Sequence, residues 1–213
     1  MLEIDAALEE YIREHSDPEE ELLQRLTRET HLKMLHPRML AGPLQGAFLK
    51  MICRMLNARR VLEIGTYTGY SALAMALGME EGGVVHTIER DDELEEFTRP
   101  FIESSGLSHR VVLHIGDARQ VIPTLGEEPF DLVFMDGDKR EYAEYYRLIF
   151  DRVRPGGLIL ADDVLWDGKV VDTASLDAQT RGIKAFNEMI RSDARVEKLI
   201  LPFRHGLTMI YKK

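Results

Sequence analysis

Five apolar runs in this chain each end on a carboxylate: VLEIG with Glu63, VVHTIER with Glu89, VVLHIGDA with Asp117, FDLVFMD with Asp136, and LILADD with Asp162 and Asp163. If the runs are parallel strands, one edge of one sheet carries all of these acids. Open α/β sheets bind ligands at that edge, beyond the carboxyl ends of the strands. A crevice lined with carboxylates suits cations and ribose hydroxyls and is a poor place for a free phosphate.

Asp136 and the pair Asp162-Asp163 end strands expected to be neighbours. Neighbouring strands lie about 4.8 Å apart, so these carboxylates can converge on one ion. Three such groups without a cation repel one another and raise one another's pKa. An all-oxygen site selects a hard ion such as Mg²⁺, Ca²⁺ or Mn²⁺. The blander reading is that one or two of the acids cap helices, which explains a single acid better than the set. Lys139 follows Asp136 closely. Beside a divalent cation its amine is pushed toward the neutral form and becomes a possible base; the alternative is a surface lysine.

The stretch Glu63-Ile64-Gly65-Thr66-Tyr67-Thr68-Gly69-Tyr70-Ser71 joins the first run to a helix. Gly65 permits a tight turn and the close approach of a ligand to backbone. Ser71 falls in the first helical turn, where free N–H groups can receive a ligand carboxylate. The spacing is G-x-x-x-G. Tyr67 stands where the dinucleotide fingerprint needs its second glycine, and no Lys-Ser/Thr follows to make a P-loop. Glu89, at the end of the second run, stands where an acid binds a ribose diol in nucleotide folds. Together these favour a nucleoside ligand over mere turn residues and a helix cap. Asp117-Ala118 either holds an adenine edge or caps the next helix, and both roles can coexist.

The elements that must position these groups alternate from Arg60 onward. Strands are expected at 61–64, 84–88, 111–115, 131–135 and 157–161, with helices at about 70–78, 91–105, 119–125 and 141–153. Such alternation argues for βαβ units and a mostly parallel sheet. The runs are apolar throughout, as when both faces of a sheet are covered. Pro100 should kink or shorten its helix. A helix at about 177–192 precedes RVEKLILP and LTMIYKK, and the link between these last runs is too short for a crossover helix. They are expected to pair antiparallel. Upstream, Leu2 to Glu14 reads as a helix, Asp17-Pro18-Glu19-Glu20 as the start of a second that runs to about Lys33, His36 to Pro43 as a loop, and Leu44 to Leu56 as a third helix. The expectation is one α/β domain, residues 1–213: a Rossmann-like, seven-stranded, mostly parallel sheet over 58–213 with an antiparallel C-terminal strand, and a helical cover over 1–57.

The length of 213 residues allows one substantial core, and a hydrophobic content of 45% with 30% charged residues argues against disorder. The net charge of −10 opposes non-specific adhesion to nucleic acid or anionic membrane. Cys53 is the single cysteine, so no intrachain disulfide can form, and the acidic, amphipathic N-terminus is unlike a signal peptide. Both favour the cytoplasm. No run approaches the roughly 18 apolar residues of a membrane span.

VLEIGTYTGYSALAMA, the acid of IER, GDA, FDLVFMDGDKREY and LILADDVLWDG together resemble the cation-dependent O-methyltransferases that use S-adenosylmethionine, the caffeoyl-CoA and catechol O-methyltransferase group. The similarity runs from about Met39 to the C-terminus. The resemblance implies that Met39 and Ala41 flank the cofactor and that Glu63, Gly65, Thr66 and Ser71 surround its methionine part. It assigns Glu89 to the ribose, Asp117 and Ala118 to the adenine, and Asp136, Asp162 and Asp163 to a metal, usually Mg²⁺. Asp136 would also touch the cofactor's amino group, Lys139 would be the general base, and the protein would be a homodimer. Two departures stand out. The family usually has Asn where this chain has Asp163, and tends to have Gly-Asp-Gly where this chain has Arg204-His205-Gly206.

The expected function is metal-dependent methyl transfer to a hydroxyl of a small vicinal diol, a catechol or related phenolic. Trp166, in the loop after the metal pair, either walls the acceptor pocket or packs. A second reading is methylation of a 5-hydroxyuridine in tRNA, with Arg38, Arg59, Arg60, Arg204 and His205 as a local basic patch. A nicotinamide-dependent oxidoreductase and a non-catalytic binding protein are weaker readings. The missing glycine and the carboxylate cluster argue against the former, and the filled catalytic positions against the latter.

Overall fold

A computed structural model describes residues 6–174 and 177–213. Helix α1 spans Ala6–Glu14, and the start of the predicted first helix, Leu2 to Asp5, lies outside the described residues. Helix α2, Glu21–Lys33, begins later than the Asp17-Pro18 signal predicts, and Glu20 has extended backbone with no capping side-chain bond. Tertiary partners draw the acids away. Glu19 accepts from the Tyr70 hydroxyl at 2.5 Å, and Glu20 pairs with Lys50 at 3.1 Å. A short 3-10 turn at Pro37–Met39 interrupts the expected loop, and α3 spans Pro43–Met55.

The alternating region delivers seven strands: β1 Arg60–Ile64, β2 Val84–Glu89, β3 Val111–Ile115, β4 Phe130–Met135, β5 Val153–Ala161, β6 Val196–Leu201 and β7 Leu207–Lys212. Between them lie α4 Tyr70–Gly78, α5 Glu95–Ser104, α6 Ala118–Val121, α7 Tyr142–Phe150 and α8 Ala178–Ser192. Helix α5 runs through Pro100, and its predicted first turn is a 3-10 segment at Asp92–Leu94. Helix α6 is likewise shorter than predicted and passes into a 3-10 turn at Ile122–Thr124. The predicted helix over 141–153 stops at Phe150, because Val153 already pairs with Phe130 at the start of β5.

The sheet order is β3-β2-β1-β4-β5-β7-β6. β7 inserts between β5 and β6 and runs antiparallel to both, while the β1–β2, β1–β4, β2–β3 and β4–β5 pairs are parallel. The chain therefore leaves β3 at one edge and returns on the far side of β1. This reversal places the ligand crevice beyond the carboxyl ends of β1 and β4.

Strand alternation divides the core in two. Val61, Leu132 and Phe134 pack with Leu26 of α2, Leu49 and Cys53 of α3, and Leu73 and Met75 of α4. Leu62, Ile64, Val133 and Met135 pack with Tyr142 and Tyr146 of α7 and Ile183 and Phe186 of α8. Helices α2 and α3 are thus part of the core. Among the described residues, no helix is long and apolar enough to cross a membrane.

Candidate active site

The carboxyl ends of the parallel strands open into a cleft of about 970 Å³. Gly65 forms its floor. The turn there has φ of 100°, and a Cβ on Gly65 would stand 2.5 Å from the Asp136 carbonyl oxygen. Only glycine lets the ends of β1 and β4 approach this closely. The Gly65 N–H is tied to the Ile88 carbonyl at 2.9 Å, which aligns the loop with the end of β2.

Tyr67 is the hub of that loop, and sequence reasoning missed it. It sits in the left-handed region at φ 50°. Its N–H donates to Glu89 Oε2 at 2.8 Å, and its carbonyl accepts from Thr98 Oγ1 at 2.8 Å. Its hydroxyl donates to the His36 carbonyl at 3.0 Å, hooking the cover segment over the cleft. Glu89 also accepts from the Asp91 N–H at 2.8 Å. Two backbone donors thus orient this carboxylate on the cleft wall. Burial raises its pKa, and the backbone donors of Asp91, Tyr67 and Arg90 oppose the rise.

Several residues expected around the cofactor do not line the cleft. Glu63 is fully buried and Thr66 2% exposed, because β1 is a central strand covered on both faces. Glu63 Oε2 accepts from Thr87 Oγ1 at 2.5 Å, and Thr66 Oγ1 meets the same hydroxyl at 2.5 Å. Glu63 Oε1 has no partner of ordinary hydrogen-bond geometry. Burial pushes the Glu63 carboxyl up to about 8, against the opposing influence of the Ser71 and Thr87 hydroxyls. Ser71 is itself buried in the first turn of α4. These groups form a polar layer just under the glycine loop. The Ala41 carbonyl is taken by Arg204. Met39 does line the cleft and is 59% exposed.

Asp117 turns away as well. It caps α6 by accepting from the Arg119 N–H at 2.9 Å and forms a forked ion pair with the same residue's guanidinium. That side-chain contact holds its carboxyl down to about 2. The helix-cap reading of Asp117 is the one this geometry displays, while Ala118 lines the cleft.

Asp136, Asp162, Asp163 and Lys139 all line the cleft, but the acids do not converge as a triad. Lys139 Nζ lies 2.6 Å from Asp136 Oδ1 and 3.0 Å from Asp163 Oδ2, and 2.8 Å from the Tyr142 hydroxyl. Asp162 instead accepts from Gln45 Nε2 at 2.6 Å and from the Asp163 N–H at 2.9 Å. Among the described residues, no three acidic, imidazole or thiolate side chains stand together in metal-ligand geometry. The donor chemistry nonetheless fits a hard cation. The ammonium of Lys139 stands in for one between two carboxylates, and burial together with the Asp163 charge raises the pKa of Asp162. Asp136 is raised by burial and by Asp162 and Asp163, against the attraction of Lys139.

Lys139 is expected to turn neutral only beside a divalent cation. Burial alone would lower its pKa, but attraction to Asp136, Tyr142 and Asp163 outweighs burial and holds it well above the usual lysine range. Without a divalent ion this lysine is an ammonium group and no base. Its position is set by packing: a Cβ on Gly182 of α8 would lie 2.5 Å from the Lys139 carbonyl oxygen.

The anticipated basic patch is divided. Arg59 and Arg60 sit at the amino end of β1, away from the cleft, and pair with Glu80 and Glu128. Arg204 spends its guanidinium on Leu40, Ala41 and Gln45. Arg204, Arg38 and His205 all line the cleft, His205 in contact with Asp167 at 2.6 Å. Trp166 lines the cleft in a loop where Asp163, Trp166 and Asp167 all have positive φ. Its indole Nε1 is buried without a hydrogen-bond partner.

A sequence profile of the O-methyltransferase family matches residues 13–213. The chain belongs to that family. It is 36% identical over 168 residues to a catechol O-methyltransferase of Niastella koreensis, covering 78% of this chain and 76% of that one. It is 35% identical to caffeoyl-CoA O-methyltransferase 5 of Nicotiana tabacum, covering 95% and 90%. Among solved structures, an O-methyltransferase from Bacillus cereus in complex with SAH superposes with a TM-score of 0.91 at 31% identity, over 97% of each chain. The Streptomyces achromogenes O-methyltransferase TomG in complex with SAM gives 0.89 at 29% identity, over 97% and 96%. The protein is thus an S-adenosylmethionine-dependent O-methyltransferase of the caffeoyl-CoA and catechol type. In this O-methyltransferase, the glycine loop and Glu89 lie on the β1–β2 side of the cleft, and the acids with Lys139 lie on the β4–β5 side.

Proposed function

We propose that this O-methyltransferase methylates one hydroxyl of a small vicinal diol, a catechol or related phenolic, with a divalent cation held by Asp136, Asp162 and Asp163. Mg²⁺ is the expected ion, with Ca²⁺ or Mn²⁺ as alternatives for an all-oxygen set. The observation that carries this reading is the Lys139 ammonium shared between Asp136 and Asp163 at the cleft. It shows that the acids' geometry already accommodates a positive charge. The similarity to catechol and caffeoyl-CoA O-methyltransferases supports the acceptor class.

When bound, the cation lowers the pKa of a coordinated hydroxyl and S-adenosylmethionine supplies the sulfonium methyl group. The chain's own residues do the rest. Glu89, fixed by two backbone N–H groups, accepts from a ribose diol. Gly65 and Ala118 keep the cleft wall low enough for a nucleoside to lie against backbone. Lys139, held between Asp136 and Asp163, would take the proton from the acceptor oxygen once a cation shared those two carboxylates. Tyr142, hydrogen-bonded to Lys139 and to the Met135 carbonyl at 3.0 Å, keeps that amine aimed at the cleft. Met39 flanks the cofactor and Trp166 walls the acceptor, both lining the cleft. Holding donor and acceptor in line contributes about 7–11 kcal/mol in favourable systems.

The test is an acceptor panel. Methyl transfer from S-adenosylmethionine is compared for catechol-type diols and the matching monohydroxy phenols. The proposal expects turnover of the diols alone. Equal turnover of the monohydroxy compounds would rule out chelation by two adjacent oxygens.

A further inference from the structure

Gln45 is a polar amide with no exposed surface. Both ends of it are used. Nε2 donates to Asp162 Oδ2 at 2.6 Å, and Oε1 accepts from Arg204 Nη1. A guanidinium donates and never accepts, so it selects the oxygen end of the amide and leaves the nitrogen end turned toward the carboxylate. Arg204 is held by the Ala41 carbonyl through Nη1 and by the Leu40 carbonyl through Nη2 at 3.1 Å. The second oxygen of Asp162 accepts from the Asp163 N–H at 2.9 Å. Each oxygen of this buried carboxylate therefore has one fixed N–H donor. The chain of contacts joins the β6–β7 turn, helix α3 and the end of β5.

We propose that Gln45 and Arg204 are positioning residues for Asp162: Arg204 sets which way the Gln45 amide faces, and Gln45 fixes the carboxylate. This rests on the reading that Asp162 serves the reaction. Neither residue takes part in the chemistry. Arg204 belongs to the β6–β7 turn, which lies beside the end of β5, so that turn acquires a role in ordering Asp162.

The test uses Gln45→Glu, Arg204→Ala and the double variant. Gln45→Glu keeps the size and the contact with Arg204 while replacing the N–H donated to Asp162 by a carboxylate oxygen, so the two side chains repel where they were bonded. Partners that orient ligating groups typically cost 10–100-fold in activity or ion affinity when removed. Each single variant is expected to lower kcat by about 10–100-fold with KM for S-adenosylmethionine within about twofold, and the double variant to be no worse than the poorer single, because the two act in one chain. Calorimetric titration with Mn²⁺ is expected to show a matching loss of affinity. Amide hydrogen exchange of Asp163, measured without any ligand, is expected to quicken in all three variants, since its N–H partner is no longer held.

Unchanged Asp163 exchange in Gln45→Glu overturns the proposal whatever the rates, as does a double variant whose losses multiply. If the parent protein transfers no methyl group to any diol, the functional reading fails instead, and the exchange measurement still decides the positioning role.

Discussion

Lys139 Nζ lies 2.6 Å from Asp136 Oδ1, in a side chain that is only 8% exposed. The pair makes the cleft self-compensating: the lysine supplies the positive charge that the clustered acids need when no ion is present. Replacing Lys139 with Met leaves the acids without a partner. Removing one member of a buried pair costs about 3–5 kcal/mol, and losing a positioned base costs about 10²–10⁴-fold in rate. Lys139→Met is expected to melt several degrees lower in chelator, to regain much of that loss on adding Mg²⁺, and to stay catalytically impaired in both. Calorimetric melting and initial rates check this together.

Glu63 gives a pH signature. Its folded pKa, about 8, is above its ordinary value of 4.5. The folded state therefore binds the proton more tightly, and the stabilisation is fully present below about pH 4.5 and is lost as pH rises through 8. Glu63→Gln stays neutral throughout. Denaturant unfolding from pH 5 to 9 is expected to show the variant gaining on the parent protein as pH rises, by up to a few kcal/mol. A constant difference between the two would mean that Glu63 is ionised at neutral pH.

Gly65→Ala should be far more damaging than its size suggests. The new Cβ would stand 2.5 Å from the Asp136 carbonyl oxygen at a φ of 100°. Neither strand end can yield, since Gly65 N–H and Asp136 N–H are both committed to backbone carbonyls. Backbone strain of this kind costs about 1–3 kcal/mol. A lower melting temperature and loss of calorimetric S-adenosylmethionine binding are the expected results.

Much of this architecture was legible in the sequence because the strands are apolar on both faces and each ends on an acid. That pattern located β1 to β5 within a few residues and placed Glu89, Asp136, Asp162 and Asp163 at one rim. What escaped depends on distant partners. The start of α2 moved because Glu19 and Glu20 are claimed by Tyr70 and Lys50. Tyr67 was visible only as a glycine that was missing, since its left-handed backbone and its link to His36 leave no mark on composition. Glu63 was placed around the cofactor from its strand-end position, but a central strand buries such a residue under the loop. Gln45 meets Asp162, and Arg204 meets Gln45, across more than half of the chain's length, and no local pattern announces that.

The account turns on the acids of β4 and β5 holding a cation for transfer to a diol. Its most direct test is the initial rate of methyl transfer to a catechol by chelator-stripped protein, before and after titration with Mg²⁺, beside Asp136→Ala under the same conditions. The account predicts a rate near zero after stripping, full recovery with Mg²⁺, and none in the variant. Undiminished transfer by the stripped protein, or by Asp136→Ala, would contradict it.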